Sequence, residues 1–334
     1  MLWSKGLYIF LKDRKMLSAL LFILVGFVLL IEGADWLVKG AVAIANKLKI
    51  PSIIVGLTIV AFGTSTPEFV VSIKAALNGV GGISVGNVVG SNIANILLIL
   101  GVAGIISSVT CDKKTFLRDW GFMMFTTVLF VAFALSGKFV FWHGLVMLSI
   151  LIGFIIFNYI NSKNSDEDSS ETQSSMADKN WLIVLGVTAL GLMAILYGSD
   201  LLVKGAVDLA KIFGISEAII GLTIVAVGTS MPELATTVVA AIRKQNGVAL
   251  GNVVGSNIWN IVFIMGATST IVDVEVVKQI MVYDIWVMVF ATVVLLPIML
   301  TQSKLNRIEG VLFLLLYAGY LISQVLLANG TLAL

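Results

Sequence analysis

The chain has 334 residues, of which 59% are apolar and only 12% charged, and its mean hydropathy is +1.05. This apolar share is far above that of a soluble domain, so the sequence predicts an all-α integral membrane protein. The net charge of +2 argues against a nucleic-acid interface, and the single cysteine, Cys111, excludes an intramolecular disulfide and a thiolate metal cluster.

The predicted elements are ten apolar segments, each long enough to cross the roughly 30 Å hydrocarbon core of a bilayer. The first five lie at about 16–46, 51–78, 82–108, 117–135 and 138–160. The second five lie at about 181–210, 216–242, 247–271, 279–301 and 308–329. The sequence therefore predicts ten transmembrane helices in two sets of five.

Two segments outside these helices divide the chain. Residues 1–15 have no small-residue cleavage site and are interpreted as an interfacial amino-terminal lead-in. Residues 161–180 are rich in Ser, Asp and Glu and have too few apolar side chains to fold, which indicates a solvated linker. The expected organisation is a lead-in at 1–15, a five-helix repeat at 16–160, a hydrophilic cytoplasmic linker at 161–180 and a second five-helix repeat at 181–334.

The distribution of Lys and Arg predicts the orientation of the helices. Eleven of these residues fall in loops on the linker's side of the membrane and four on the opposite side, or eight when the lead-in is included. Because positive residues favour cytoplasmic loops, we expect a cytoplasmic linker and both ends of the helical core outside. The expected location is a cell membrane, which the chain crosses many times.

An internal repeat relates the two sets of helices. Residues 33–96 align with 198–261 at a constant offset of 165, and 35 of the 64 positions are identical. Each set has an odd number of spans, so the same sequence enters the membrane from opposite sides in the two halves. The prediction is two inverted five-helix repeats.

The repeat contains two buried acids beside helix breakers. GTSTPE at 63–68 returns as GTSMPE at 228–233, which places Glu68 and Glu233 near the middle of spans 2 and 7. An unpaired charge there costs a few kcal/mol or more. Glycine and proline should open each helix and leave carbonyls unpaired, which lipid tolerates only where the gap lines a polar cavity or meets a ligand.

Oxygen atoms are the only metal-ligand type in these motifs. The expected ligands of the first motif are the carboxylates, the neighbouring hydroxyls and the freed carbonyls, namely Glu68, Glu233, Thr64, Thr229, Ser65, Ser230, Ala61 and Ala226. GSNIAN and its copy GSNIWN add, from spans 3 and 8, Ser91, Asn95, Ser256 and Asn260. An all-oxygen shell with two carboxylates suits Ca²⁺, and Na⁺ accepts the same ligands. A softer transition metal fits poorly.

These paired motifs resemble the two alpha-repeats of the calcium:cation antiporter superfamily, particularly prokaryotic sodium/calcium exchangers. The resemblance implies a secondary active antiporter, not an enzyme, that exchanges Ca²⁺ for Na⁺ by alternating access at a midplane site. It also implies that the residues above other than Asn260 are ion ligands, that spans 1 and 6 are the elements that slide, and that the membrane is a prokaryotic plasma (inner) membrane. One position departs from the family's pattern, since Asn260 stands where the best-characterised members have aspartate.

Other functions share parts of this pattern. With two carboxylates instead of three, exchange of Ca²⁺ or another cation for protons is the first alternative, with protonation on Glu68 or Glu233. A passive channel needs a continuous pore, and an intramembrane hydrolase needs an acid pair acting on water. The inverted duplication favours alternating access over both. Ca²⁺, Na⁺ and the lipid bilayer are the expected partners; no cofactor, catalytic residue, nucleic acid or obligate protein partner is expected.

Two charged pairs on spans 1 and 6 are interpreted as structural. Asp35 and Lys39 are four residues apart, as are their copies Asp200 and Lys204. Side chains at this spacing lie on one face of a helix and can pair.

Overall fold

The structure, a computed structural model, describes residues 2–162, 176, 178–213 and 226–328. These residues are almost entirely helical, which confirms the predicted all-α class. The helices are α1 (Leu2–Leu48), α2 (Ser52–Thr64), α3 (Thr66–Leu77), α4 (Gly81–Ile106), α5 (Lys113–Ala134), α6 (Phe141–Ser162), α7 (Trp181–Ile212), α8 (Met231–Ile242), α9 (Asn246–Ile271), α10 (Ile280–Thr301) and α11 (Arg307–Ala328). A single helical turn, Ala226–Gly228, precedes α8.

Eight helices in the described part of the chain are long and apolar enough to cross a membrane, and the bent pair α2 and α3 makes a ninth candidate span. Of the predicted span at 216–242, residues 216–225 lie outside the described residues, and the rest contains the turn at Ala226–Gly228 and α8. The count of ten therefore stays a prediction. The linker at 161–180 also lies largely outside the described residues, and α1 continues without a break from Leu2 through the boundary predicted at residue 16.

Helices α1 and α7 are equivalent in the two repeats and pack against each other in opposite directions. A Cβ on Gly26 would lie 2.6 Å from the carbonyl oxygen of Gly198, and one on Gly33 would lie 2.8 Å from that of Gly191. Residues further along α1 therefore contact residues nearer the start of α7. This antiparallel contact is the geometry that an inverted repeat requires, and glycine permits the close approach of the two backbones.

Two short strand pairs also connect the halves. Strand β1 (Val109–Thr110) pairs with β4 (Lys304–Leu305), with Val109 opposite Leu305. Strand β2 (Lys138–Phe139) pairs with β3 (Val274–Glu275), with Lys138 opposite Glu275. Both pairs are antiparallel, and each joins a loop of one repeat to a loop of the other.

The predicted helix breaks fall inside the GTSTPE and GTSMPE motifs. Helices α2 and α3 meet at an angle of 46°, and Ser65 between them leaves the helical conformation with ψ near 8°. In the second half, Ser230 has the same ψ and separates the turn at Ala226–Gly228 from α8. Proline occupies the first turn of α3 and of α8, where its missing N–H costs no regular hydrogen bond.

Helices α4 and α9 form the enclosed centre of the protein. They are the most buried of the candidate spans, and each widens to a π-helix just after the GSNI sequence. The π segments run from Asn95 to Ile99 and from Asn260 to Met265. Such widened turns inside α-helices often occur at functional sites, and here each begins on a predicted ligand.

Candidate functional site

The two acidic residues of the repeats meet through reciprocal hydrogen bonds. Ser65 donates its hydroxyl to Oε1 of Glu233 at 3.1 Å, and Ser230 donates to Oε1 of Glu68 at 3.3 Å. Both carboxylate side chains are buried. Each half of the protein therefore supplies a hydroxyl to the carboxylate of the other half, and the site is shared between the repeats.

The helix breaks explain why a carboxylate can lie at this depth. Glu68 is in the first turn of α3 and Glu233 is in the first turn of α8. The N–H groups in the first turn of a helix have no acceptor within the helix and carry a partial positive charge. Opening the span thus gives each acid a helix N-terminus, which an unbroken helix would not offer.

Two asparagines hold the acid-bearing helices against the central helices. Asn87 on α4 donates to the carbonyl of Glu68 at 3.0 Å and to the hydroxyl of Ser72 at 2.9 Å. Asn252 on α9 makes the equivalent bonds to the carbonyl of Glu233 at 3.3 Å and to Thr237 at 2.9 Å. These asparagines are not among the predicted site residues.

The predicted hydroxyl ligands lie around the breaks. Thr64 is fully buried and donates to Oδ1 of Asn252 at 3.1 Å, so its own oxygen lone pairs remain available. Thr229 is half-buried between Gly228 and Ser230, at the equivalent point of the second half. The structure thus brings hydroxyls of both repeats to the same place as the two carboxylates.

The prediction that the break leaves the Ala61 carbonyl without a hydrogen-bond partner is wrong. Its oxygen accepts the N–H of Ser65 at 3.0 Å and lies 3.3 Å from the Thr64 hydroxyl. The helical bond four residues back from Ser65 is kept because proline at position 67 removes the donor for residue 63, not for residue 61. In the second half the N–H of Ser230 bonds to Val227 at 3.2 Å rather than to Ala226. Ion binding by the Ala61 and Ala226 carbonyls stays a prediction.

The GSN motifs of α4 and α9 contribute a second group of buried polar side chains. Ser91, Asn95, Ser256 and Asn260 are all at most 5% exposed. Five buried oxygens of the predicted site have no hydrogen-bond partner among the described residues, namely Oε2 of Glu68, Oε2 of Glu233, Oδ1 of Asn95, Oδ1 of Asn260 and Oγ of Ser256. Because burial of an unpaired polar atom is costly, this set is chemically suited to a bound cation.

The carboxylates are the only formal charges that the predicted ligand set contains. In the part of the chain that the structure describes, no group of three or more His, Cys, Asp or Glu side chains could hold a metal ion together. A cation in this site would therefore combine two charged ligands with neutral oxygens. That composition suits a hard cation, and the two charges balance one Ca²⁺ or two Na⁺.

One side of the site carries aromatic side chains that the other side lacks. Trp259 stands where the first repeat has Ala94, and its Nε1 donates to the carbonyl of Leu57 at 2.9 Å. Its ring centroid lies 4.9 Å from that of Phe62 and 5.5 Å from that of Phe263. The two repeats therefore build similar ligand sets with different apolar surroundings.

Asp119 and Asp284 are further buried acids outside the ligand set, and their positions are separated by the same offset of 165. Asp119 on α5 pairs with Arg118 at 2.8 Å. Asp284 on α10 accepts from Tyr320 at 3.2 Å and from Gln324 at 2.5 Å. Neither was predicted, because one aspartate per span without a neighbouring break gives no distinct sequence signal.

Comparison with known proteins assigns the family. The model of a protein family described as "Sodium/calcium exchanger protein" matches residues 18–160 and 183–326, which is most of the chain. The chain is 38% identical over 313 residues to the putative antiporter CaxA of Alkalimonas amylolytica, covering 91% of this chain and 98% of that protein. It is 33% identical to the sodium/calcium exchanger MaX1 of Methanosarcina acetivorans, covering 90% and 97% of the two chains.

A solved structure of similar fold supports the assignment. The sodium-calcium exchanger NCX_Mj, soaked with Na⁺ and Sr²⁺, superposes with a TM-score of 0.78 at 32% identity, covering 91% of this chain and 97% of that one. The resemblance predicted from the paired motifs is thus confirmed. The protein is a multi-pass membrane protein and a secondary transporter of cations, and the chain belongs to the sodium/calcium exchanger family.

Proposed function

We propose that this protein exchanges Ca²⁺ for Na⁺ by alternating access, with both ions competing for the site between the two repeats. The observation that carries the proposal is the set of five buried oxygens without partners, contributed by both halves. The residues proposed as ion ligands are Glu68, Glu233, Asn95, Asn260, Thr64, Thr229, Ser65, Ser230, Ser91, Ser256 and the carbonyls of Ala61 and Ala226. The relative MaX1 and the solved exchanger NCX_Mj, both described as sodium/calcium exchangers, support the choice of ions.

Competition between the ions follows from charge. When Ca²⁺ or Na⁺ leaves the site, the carboxylates of Glu68 and Glu233 remain close to each other with no cation between them. Like charges in a buried site repel strongly, so the protein favours having one Ca²⁺, or an equivalent positive charge, in place. Exchange rather than uniport is the expected result, since a site without ions is the least stable form.

Alternating access is supported by the placement of α1 and α7. They pack on each other through glycines with backbones in close contact, and α1 also contacts α8 and the start of α2. Because the two long helices pack closely on each other, they can move as one unit past the site. The inverted arrangement of the repeats makes the two end states of this movement similar in energy.

Exchange of Ca²⁺ for protons is a second candidate function, favoured by one specific observation. The site has an amide at Asn260, so it holds two carboxylates, and these are the groups on which protons can replace Na⁺. A carboxylate without a cation can be neutralised by a proton in a buried site. The two functions differ in the gradient that drives Ca²⁺ movement.

The test is ⁴⁵Ca²⁺ uptake into proteoliposomes that contain the full chain. Vesicles loaded with Na⁺ should accumulate Ca²⁺ when diluted into Na⁺-free medium, and vesicles loaded with K⁺ should not. Uptake driven by a pH jump alone would show that protons, and not Na⁺, are exchanged for Ca²⁺. Calcium flux that needs neither gradient would indicate a channel and contradict the proposal.

Matched variants test the site itself. Glu68→Gln and Glu233→Gln keep the size of the side chain and remove its charge, so each should abolish exchange. Asp284→Asn is the control, because it neutralises a buried acid held by Tyr320 and Gln324, outside the predicted ligand set. Normal transport by either glutamine variant would contradict the assignment of the site.

A further inference from the structure

The orientation of the Asn260 amide is determined by a chain of hydrogen bonds. Nδ2 of Asn92 on α4 donates to the backbone carbonyl of Asn257 on α9 at 3.2 Å. A carbonyl only accepts, so Asn92 must direct its amide nitrogen there and its amide oxygen to the other side. On that side Oδ1 of Asn92 accepts from Nδ2 of Asn260 at 3.0 Å. The nitrogen of Asn260 is thus assigned by the network.

This network determines which atom of Asn260 is available to an ion. With its nitrogen engaged by Asn92, Asn260 has only its oxygen left, and Oδ1 of Asn260 is buried without a partner among the described residues. A reversed amide would place an N–H donor where a cation needs an oxygen. It would also set two amide oxygens, from Asn92 and Asn260, against each other.

The equivalent residues of the other half do not form this network. By the offset of 165, Asn92 corresponds to Asn257 and Asn260 to Asn95. Asn257 donates to the carbonyl of Val253 in its own helix at 2.8 Å. Both amide atoms of Asn95 lack a partner within the described ranges. One central amide is therefore oriented by a neighbour, and the other is not.

We propose that Asn92 is a positioning residue for ion recognition, which fixes Asn260 with its oxygen toward the transported cation. The inference deepens the proposed function and rests on it. It assigns Asn92 a role without direct contact with the ion. It also explains how a neutral residue can serve at a position where a carboxylate would need no orientation, since both atoms of a carboxylate are oxygens.

The first experiment compares Asn92→Leu with Asn257→Leu in the purified full chain. Both changes replace one buried asparagine by leucine at equivalent points of the repeats, which makes Asn257→Leu the matched control for burial and side-chain size. Loss of an outer hydrogen-bond partner of a metal ligand typically costs ten- to a hundredfold in affinity. We expect Asn92→Leu to weaken equilibrium ⁴⁵Ca²⁺ binding about tenfold or more, with Asn257→Leu within about twofold of wild type.

A double-mutant cycle separates positioning from packing. If Asn92 acts through Asn260, then Asn92→Leu should have little further effect on Ca²⁺ affinity in an Asn260→Ala background. Equal losses of affinity in Asn92→Leu and Asn257→Leu, or full additivity with Asn260→Ala, would overturn the inference. If the leucine variants do not fold, Asn92→Ser and Asn257→Ser take their places, with the same two outcomes deciding.

The same measurements distinguish failure of the inference from failure of the proposed function. A wild-type protein that binds Na⁺ but no Ca²⁺ contradicts Ca²⁺ exchange, and the comparison of Asn92 with Asn257 is then read from Na⁺ affinity. A wild-type protein that binds neither ion overturns both. Wild-type Ca²⁺ binding with no difference between the two variants overturns the role of Asn92 alone.

Discussion

Arg243 and Asp35 form an ion pair between the end of α8 and the long helix α1, with Nη2 of Arg243 2.6 Å from Oδ1 of Asp35. Asp35 also pairs with Lys39 one turn along α1, as predicted. The counterpart of Arg243 at the 165-residue offset is Asn78, which has no charge. The second half therefore cannot make the same ion pair. Lys204, the counterpart of Lys39, places its Nζ 5.2 Å from the ring centroid of Phe22.

Removing this ion pair should change the rate of exchange without changing ion affinity. Arg243→Asn gives both repeats the same residue and releases α1 from α8. Because the arginine is half-exposed, the pair contributes about 1 kcal/mol or less, so the maximal rate should rise by about fivefold at most. The measurement is ⁴⁵Ca²⁺ exchange over a range of Ca²⁺ concentrations. Lys244→Asn is the control, and an equal effect in both variants would contradict a specific role for the ion pair.

Placing an acid at position 260 should make exchange more sensitive to pH. In Asn260→Asp, an ionised carboxylate would set an oxygen against Oδ1 of Asn92, where the wild-type amide donates at 3.0 Å. A protonated aspartic acid could donate this bond, but an ionised one could not. We therefore expect a steeper pH dependence of Ca²⁺ exchange than in wild type, together with altered Na⁺ dependence. Unchanged Ca²⁺, Na⁺ and pH titrations would show that this position has no part in ion binding.

A methyl group at the contact between α1 and α7 should destabilise the protein. A Cβ on Gly191 would lie 2.6 Å from the backbone nitrogen of Leu37, too close for the two helices to remain in place. Overpacking of this kind typically costs about 1–3 kcal/mol, so Gly191→Ala should unfold at lower temperature in detergent. Gly186→Ala on the same helix is the control, because a Cβ there meets nothing within 4 Å among the described residues. Because alanine favours a helix more than glycine does, Gly186→Ala should be neutral or slightly stabilising, and a similar loss in both variants would contradict a specific clash between α1 and α7.

The amino-terminal cap of α5 should stabilise the protein in a pH-dependent way. Asp112 accepts the N–H of Thr115 at 2.8 Å, and this bond lowers the pKa of the Asp112 carboxyl. A lowered pKa in the folded state means that the stabilisation is complete above the ordinary aspartate pKa and is lost as the pH falls through the folded value.

Asp112→Ala should therefore reduce the free energy of unfolding by about 1 kcal/mol at pH 7, and the difference from wild type should shrink in acid. Thermal unfolding of both proteins in detergent from pH 7 to pH 3 measures this difference in stability. A difference that stays constant across this range would mean that the carboxylate charge does not contribute to the cap.

The features of the fold that can be predicted from the sequence are those that a repeated sequence pattern encodes. The offset of 165 and the odd number of spans predict that α1 and α7 run in opposite directions, and the structure adds that they pack on each other with Gly26 opposite Gly198. The repeated Gly and Pro likewise predict the breaks at Ser65 and Ser230. These features are local in the sequence or depend only on composition and symmetry, so spacing alone is enough to find them.

The hydrogen-bond partners of the site could not be predicted in the same way. Asn87 and Asn252 stand in the repeated GNVVGSN sequence, and that repetition was the available signal, but the pattern does not say that they bind the carbonyls of Glu68 and Glu233. Nor could spacing show that Asn92 and Asn257 differ, because both stand at the same point of a GNVVGSNI sequence. The difference depends on how the two central helices cross, which is a property of the assembled halves.

The two strand pairs make each repeat dependent on the other for its own loops. Strands β1 and β2 of the first repeat hydrogen-bond only to partners from the second, β4 and β3, within the described parts of the chain. A half expressed alone would leave these edges open together with an unbalanced carboxylate. Two fragments divided at the linker and produced together would have complementary edges, so the pairing of the halves is encoded in their contacts and not in the peptide that connects them.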